Sequence, residues 1–148
     1  MTRDALRSFV ERYLERWRDH DSEAIAAAHA PNATVESPMF ASVRGRAAIA
    51  DVHRTIFEAF PDIQYTANDI VIDPPTIALF ITFRATQVNA TRVNELIGLP
   101  GAHKHAEAAF AMVLTVSEDG LIVRDRRIYD FTGLMVQVGA LKAKPAKA

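Results

Sequence analysis

Leu6, Phe9, Val10, Tyr13, Leu14 and Trp17 recur at the three- and four-residue spacing that builds one apolar helical face. The first twenty residues are therefore predicted as one helix, with Thr2 as its N-cap and Asp4 in its first turn. Arginines and glutamates fill the remaining positions. Asp21-Ser-Glu starts a short second helix, Ala24 to His29, ended by Pro31. Asn32 to Ser37, β-branched at Thr34 and Val35, reads as a strand that Pro38 stops. After Arg44-Gly45-Arg46 a third helix runs from Ala47 to Phe60. Its apolar face is Ile49, Val52, Ile56, Phe57 and Phe60, with His53 in the middle.

Past Pro61-Asp62 the period changes to two. Ile63 to Ile72 and Ile77 to Val88 read as strands around a turn at Asp73-Pro-Pro75. Thr91 to Lys104 reads as a loop with its own apolar centre, Leu96 to Gly101. His105 to Val116 and Leu121 to Tyr129 form a hairpin around Ser117 to Gly120, and Asp130 caps a last short helix, Phe131 to Val138. Residues 142–148 are a charged tail expected to fray. Three N-terminal helices followed by a meander of strands, with one strand between helices two and three, predict an α+β fold. A long first helix across a strongly curved, mainly antiparallel sheet makes a cone with one open end. Residues 1–141 are expected to form one domain.

Composition narrows the function. The 148 residues include no cysteine, so disulfide scaffolds, cysteine-based zinc sites and thiol nucleophiles are excluded. A net charge of −1 argues against nucleic acid as a partner. No apolar run is long enough to span a bilayer, and the N-terminus lacks a signal-peptide core, so the chain is expected to be soluble and cytoplasmic, without a membrane partner. Area scaling leaves about two-thirds of the surface buried, enough for an enclosed pocket.

Val10-Glu-Arg-Tyr13, Ala33-Thr-Val-Glu-Ser-Pro38 and Gly45-Arg-Ala-Ala-Ile49 resemble ketosteroid isomerase. Phe60-Pro-Asp62, Gly98-Leu-Pro100 and Asp130-Phe-Thr-Gly-Leu-Met-Val-Gln-Val-Gly139 resemble the SnoaL-like polyketide (ester) cyclases. Both branches belong to the nuclear transport factor 2-like superfamily, and the likeness covers nearly the whole chain. It implies an α+β cone around a hydrophobic pocket. It places Tyr13 at the isomerases' oxyanion donor and His53 where a tyrosine supports that donor. The isomerases' general base falls on Ser37, and their second oxyanion donor on Met112. The cyclases' acid/base aspartate falls on Arg127, and a histidine of their site also on Met112. Ser37 cannot act as a base near neutral pH, so neither parent mechanism carries over intact.

Strand alternation supplies other candidates. If Arg127 faces the pocket, Asp125 and Tyr129 do too, while Arg124, Arg126 and Ile128 face away. Two readings of Asp125 and Arg127 stand side by side. In one, Asp125 has a raised pKa and moves protons while Arg127 holds a carboxylate or polarises a carbonyl. In the other they are a structural ion pair at the rim. His53 is a general base or a satisfied core histidine. Glu36 alternates with Ser37 and is expected to point away.

His103, His105 and Glu107 have the two-residue spacing of a metal site on a strand, but His103 falls in the loop and Glu107 outside, so no metal is expected. Trp17, Phe40, Phe57, Phe83 and Phe110 are expected to wall the pocket, with Ala106 and Ala108 leaving it roomy. Ala109, Ala111 and Val113 make the opposite face apolar too, which predicts a homodimer through the sheet.

The expected function is cofactor-independent proton transfer next to a carbonyl of a small hydrophobic ketone or ester, as a cyclase, isomerase or aldol-type catalyst. The alternative is a non-catalytic binding protein for such a ligand.

Overall fold

The structure is a computed structural model and describes residues 1–97 and 105–142. Helix α1 spans Arg3–Arg18, and its buried residues are the six of the predicted face. The Thr2 hydroxyl accepts the Ala5 N–H at 3.2 Å, which satisfies an otherwise orphan donor. Helix α2 (Ser22–Ala27) is capped by Asp21, whose carboxylate accepts from Ala24. Strand β1 (His29–Ser37) follows at once. His29 is therefore the first strand residue, not the last of the helix. Pro31 disfavours helical backbone just before it, and the Ala28 carbonyl accepts from Ile122 at 2.9 Å.

Sequence reading leaves out strand β2 (Ala41–Arg44), which pairs antiparallel with β1. It has four residues, mostly exposed, so it carries no burial alternation to detect. Helix α3 (Arg46–Ala59) starts at Gly45, whose φ of +85° suits glycine alone. Strands β3 (Gln64–Asp73) and β4 (Thr76–Ala85) form the first long hairpin. β4 ends three residues before its predicted limit. There the Asp62 carboxylate accepts the Thr86 and Gln87 N–H groups at 3.0 Å and draws the chain off the sheet.

Part of the predicted loop is instead helix α4 (Ala90–Ile97). Asn89 caps it, Val93 buries, and Arg92 reaches Glu58 of α3 at 2.9 Å. One buried residue among positions 90–96 gives too weak a period to read. The motif Gly98-Leu-Pro100, His103 and the tail 143–148 lie outside the described residues. Strands β5 (Ala106–Val116) and β6 (Ile122–Tyr129) form the second hairpin, and α5 (Phe131–Gln137) starts on an Asp130 cap.

The six strands run β2-β1-β6-β5-β4-β3, antiparallel except for the β1–β6 pair. The sheet is curved and unclosed, and the fold is α+β, with five helices among the described residues. Its inner face packs on α1 and α3 through Tyr13, Leu14, Trp17, Ile56 and Phe60, against Leu79, Ile81, Met112 and Leu114. The outer face carries an apolar row in which the exposed Phe80 and Ile128 flank the half-buried Ala111, Phe80 pairing with Ala111 and Ala111 with Ile128. No helix among the described residues is long and apolar enough to cross a membrane.

Candidate functional site

Where α1 and α3 lie against the inner sheet, they leave a small cavity, partly open to solvent. Trp17 comes from α1, and Ile56 and Phe60 from α3. Tyr65, Phe83, Phe110, Arg127 and Tyr129 come from four consecutive strands, and Ser37, Met39 and Ile63 complete the lining. The rings meet edge to face or tilted: Trp17 on Tyr65 at 5.0 Å, Phe83 on Phe110 at 6.1 Å, Phe110 on Tyr129 at 6.2 Å. Almost all of the wall is apolar, so the few polar atoms decide what a ligand meets.

Arg127 stands between this cavity and a fully buried polar layer. Its guanidinium carbon lies 4.8 Å from the centre of the Trp17 ring, a cation–π contact. Nε donates to Asp125 Oδ1 at 3.3 Å and Nη2 to Oδ2 at 2.8 Å. Nη2 also donates to His53 Nε2 at 2.7 Å. His53 Nδ1 in turn donates to the Ile49 carbonyl at 2.6 Å. These two bonds fix the neutral Nδ1–H tautomer and occupy the Nε2 lone pair. The remaining nitrogen, Nη1, bonds to nothing among the described residues and is not enclosed by protein. On a side chain that lines the cavity, its two N–H groups are the free donors.

The electrostatics follow from this wiring. Burial would raise the Asp125 pKa, but the Arg127 charge and bonds and the His29 ring beside it hold it down at about 2. The expectation of a raised pKa is therefore corrected, and Asp125 is a permanent anion. Burial and the Arg127 charge push His53 down to about 3, so it is neutral and a weak base, and Arg127 occupies the Nε2 lone pair that the general-base reading needs. Burial, then the Asp125 charge, raise the Tyr13 pKa. Arg127 and Asp125 thus cancel each other, without reference to solvent.

The sequence candidates separate into two layers. Trp17, Ser37, Phe83, Phe110, Arg127 and Tyr129 line the cavity. Tyr13, His53 and Asp125 lie behind it, all fully buried or nearly so. His53 turns to Arg127, not to Tyr13, and the Tyr13 hydroxyl has no hydrogen-bond partner among the described residues. The Asp125–Arg127 pair sits in the interior, not at the rim.

Phe40, Phe57 and Met112 do not line the cavity. Phe57 stacks on His20 at 4.6 Å, Met112 is sealed in the core, and Phe40 borders a shallow surface groove with Val43 and Leu96. Ala106 and Ala108 do not line it either, so they leave it no extra room. Glu36 points outward to Arg124 at 3.0 Å, and Glu107 to Arg84 at 3.1 Å. The lining residues Met39, Ile56, Phe60, Ile63 and Tyr65 escape the sequence reading of the site, and so does His29. Tyr65 is a wall of the cavity, signalled only by its place on β3. His29 is fully buried, donates from Nδ1 to the Ile25 carbonyl at 2.8 Å, and sets Nε2 3.8 Å from Asp125.

Among curated proteins no sequence matches. Solved structures do. TsrD from Streptomyces laurentii is 20% identical, with a TM-score of 0.77 over 95% of this chain and 99% of its own. A proposed SnoaL-like polyketide cyclase from Jannaschia sp. CCS1 is 13% identical, with 0.74 over 90% and 92%. A protein with a ketosteroid isomerase-like fold from Catenulispora acidiphila, in complex with trimethylamine, is 14% identical, with 0.71 over 93% and 97%. At these identities the likeness is one of fold. The SnoaL-like domain model matches residues 10–125, from the first helix into β6 as far as the buried aspartate, and the chain belongs to the SnoaL-like family.

Proposed function

We propose that the cavity binds a flat, neutral, carbonyl-bearing compound and polarises its carbonyl on Arg127. The observation that carries this reading is the pair of unspent Nη1–H donors on a side chain that lines a largely apolar, aromatic slot. A carbonyl oxygen placed there accepts charge-assisted bonds, which strengthen as negative charge develops on it. Asp125 already compensates the arginine, so a carboxylate ligand would bring an unmatched charge into a poorly hydrated site. Arg127 thus takes the oxyanion role first given to Tyr13, whose hydroxyl lies behind the wall. Asp125 and His53 hold the guanidinium in place.

The reaction class that fits the family is cyclase-like activation of a ketone or ester toward bond formation at or next to the carbonyl. The second reading, binding without turnover, is favoured by one specific observation. No lining residue is a carboxylate or an imidazole, and behind the wall the His53 lone pair and the Asp125 oxygens are engaged by Arg127. The exposed Phe80 and Ile128, with the half-buried Ala111 between them, support a homodimer through the outer sheet face. The lack of cysteine is compatible with a reducing compartment, the cytoplasm.

Trp17 is the only tryptophan and lines the cavity, so its fluorescence reports occupancy. Neutral 1,4-diacetylbenzene is expected to quench it and to bind at least about tenfold tighter than the anion 4-acetylbenzoate, a ratio worth about 1.4 kcal/mol. Arg127→Lys, whose compact ammonium cannot span Asp125 and the cavity as the planar guanidinium fork does, is expected to lose most of that binding. Tighter binding of the carboxylate, or full binding by Arg127→Lys, would overturn the reading.

A further inference from the structure

Arg127 is not the only polar feature of the wall. Two positions further along β6, on the same face, the Tyr129 hydroxyl lies 3.2 Å from Ser37 Oγ on β1. The two residues on β6 are separated by about 7 Å of extended strand. Ser37 Oγ also accepts the Met39 N–H at 3.2 Å.

A proton count follows. The pair has two hydroxyl hydrogens, and only one can lie between the two oxygens. The backbone N–H of Met39 supplies a donor, not an acceptor. No described residue accepts the second hydrogen. Whichever oxygen carries it, one O–H is left over, and both residues line the cavity. Ser37 is 6% exposed, so bulk water has little access to it.

We infer that the Ser37–Tyr129 hydroxyl pair is a second hydrogen-bond donor for the ligand, and that the cavity selects flat compounds with two oxygen acceptors at opposite ends. One acceptor meets Arg127 Nη1, the other meets the leftover hydroxyl, and Trp17, Tyr65, Phe83 and Phe110 contact the ring system between them. This deepens the carbonyl-binding reading above and rests on it. It also gives the chain a use for Ser37, a position where an aspartate would supply a base and a serine supplies a donor.

The test compares 1,4-diacetylbenzene with 4-ethylacetophenone, which has nearly the same outline and one carbonyl fewer. Trp17 quenching reads both affinities. A net hydrogen bond is worth about 0.5–1.5 kcal/mol, so the wild type is expected to prefer the diketone by about two- to tenfold. The variants give a second signature. Tyr129→Phe leaves Ser37 with its proton released from the pair, and Ser37→Ala leaves Tyr129 with its own. Each single variant therefore keeps part of the preference, and the double variant, with no hydroxyl proton left, has none.

That non-additive pattern is not what a merely structural clamp on the turn after Ser37 gives. A clamp lowers stability and leaves the ratio of the two ketones unchanged. Equal affinities in the wild type, or an unchanged preference in the double variant, overturn the inference while the carbonyl reading stands. If neither ketone quenches Trp17, the carbonyl reading falls and the inference falls with it. If the double variant fails to fold, the wild-type ratio and the two single variants still decide.

Discussion

The two faces of β6 put the same chemistry into opposite surroundings. Outward, Arg124 and Arg126 hold Glu36 at 3.0 and 3.5 Å, with side chains 38–50% exposed. Inward, one residue away, Arg127 holds Asp125 at 2.8 Å with side chains 5% and 0% exposed. Water and salt screen the outer cluster, and its partners can separate at little loss. The inner pair has little access to water. Each ion depends on the other, on His53 and on the Trp17 ring. The difference explains how a strand of four consecutive charged residues gives both an ordinary surface and a positioned guanidinium.

The largest effect is expected from breaking the inner pair. Asp125→Ala leaves a buried, unmatched arginine and should destabilise the fold by about 3–5 kcal/mol, read by urea denaturation. A loss below about 1 kcal/mol would mean that Arg127 reaches water, contrary to its burial. The pH dependence sharpens the same contrast. His53 titrates at about 3 when folded against 6.5 when unfolded. Between those values the unfolded chain binds more protons, so stability rises with pH. The His53 contribution is complete above about 6.5 and is lost as pH falls toward 3, with a limiting slope of about 1.4 kcal/mol per pH unit.

Asp125 has the same sign lower down. Its contribution is present above about 4 and is lost as pH falls through about 2. His53→Gln retains an acceptor for Arg127 and removes the titration, so its stability is expected to vary less steeply between pH 6 and 4. Parallel curves for wild type and variant would show that His53 is already protonated in the fold. The smallest effect belongs to the outer face. Glu36→Gln should change stability by about 0–1 kcal/mol, shrinking further in salt.

Much of this architecture is legible in the chain. The six-residue face of α1 is pure helical period, and alternation alone puts Asp125, Arg127 and Tyr129 on one side of β6. Partners are not legible. The bond between His53 and Arg127 joins residues 74 apart, and nothing local to either announces it. The direction of the Asp125 shift is also a tertiary fact. An aspartate in an apolar cone titrates high by itself and low once an arginine folds back on it. His29 is hidden by the junction where α2 becomes β1. Helix α4 and strand β2 are missed because each buries too few side chains to imprint a period. Phe57 shows the limit of pattern from the other side: its helical face is correct, but its ring goes to His20 rather than to the cavity.

The central claim is that the unspent Nη1 donors of Arg127 polarise a bound carbonyl. Infrared spectroscopy of ¹³C-carbonyl-labelled 1,4-diacetylbenzene bound to the protein tests it most directly. In the wild type, at least one carbonyl stretch is expected well below its frequency in an apolar solvent, and Arg127→Lys is expected to reverse much of that displacement. A bound ligand whose two carbonyls both absorb at the apolar-solvent frequency in the wild type would contradict it.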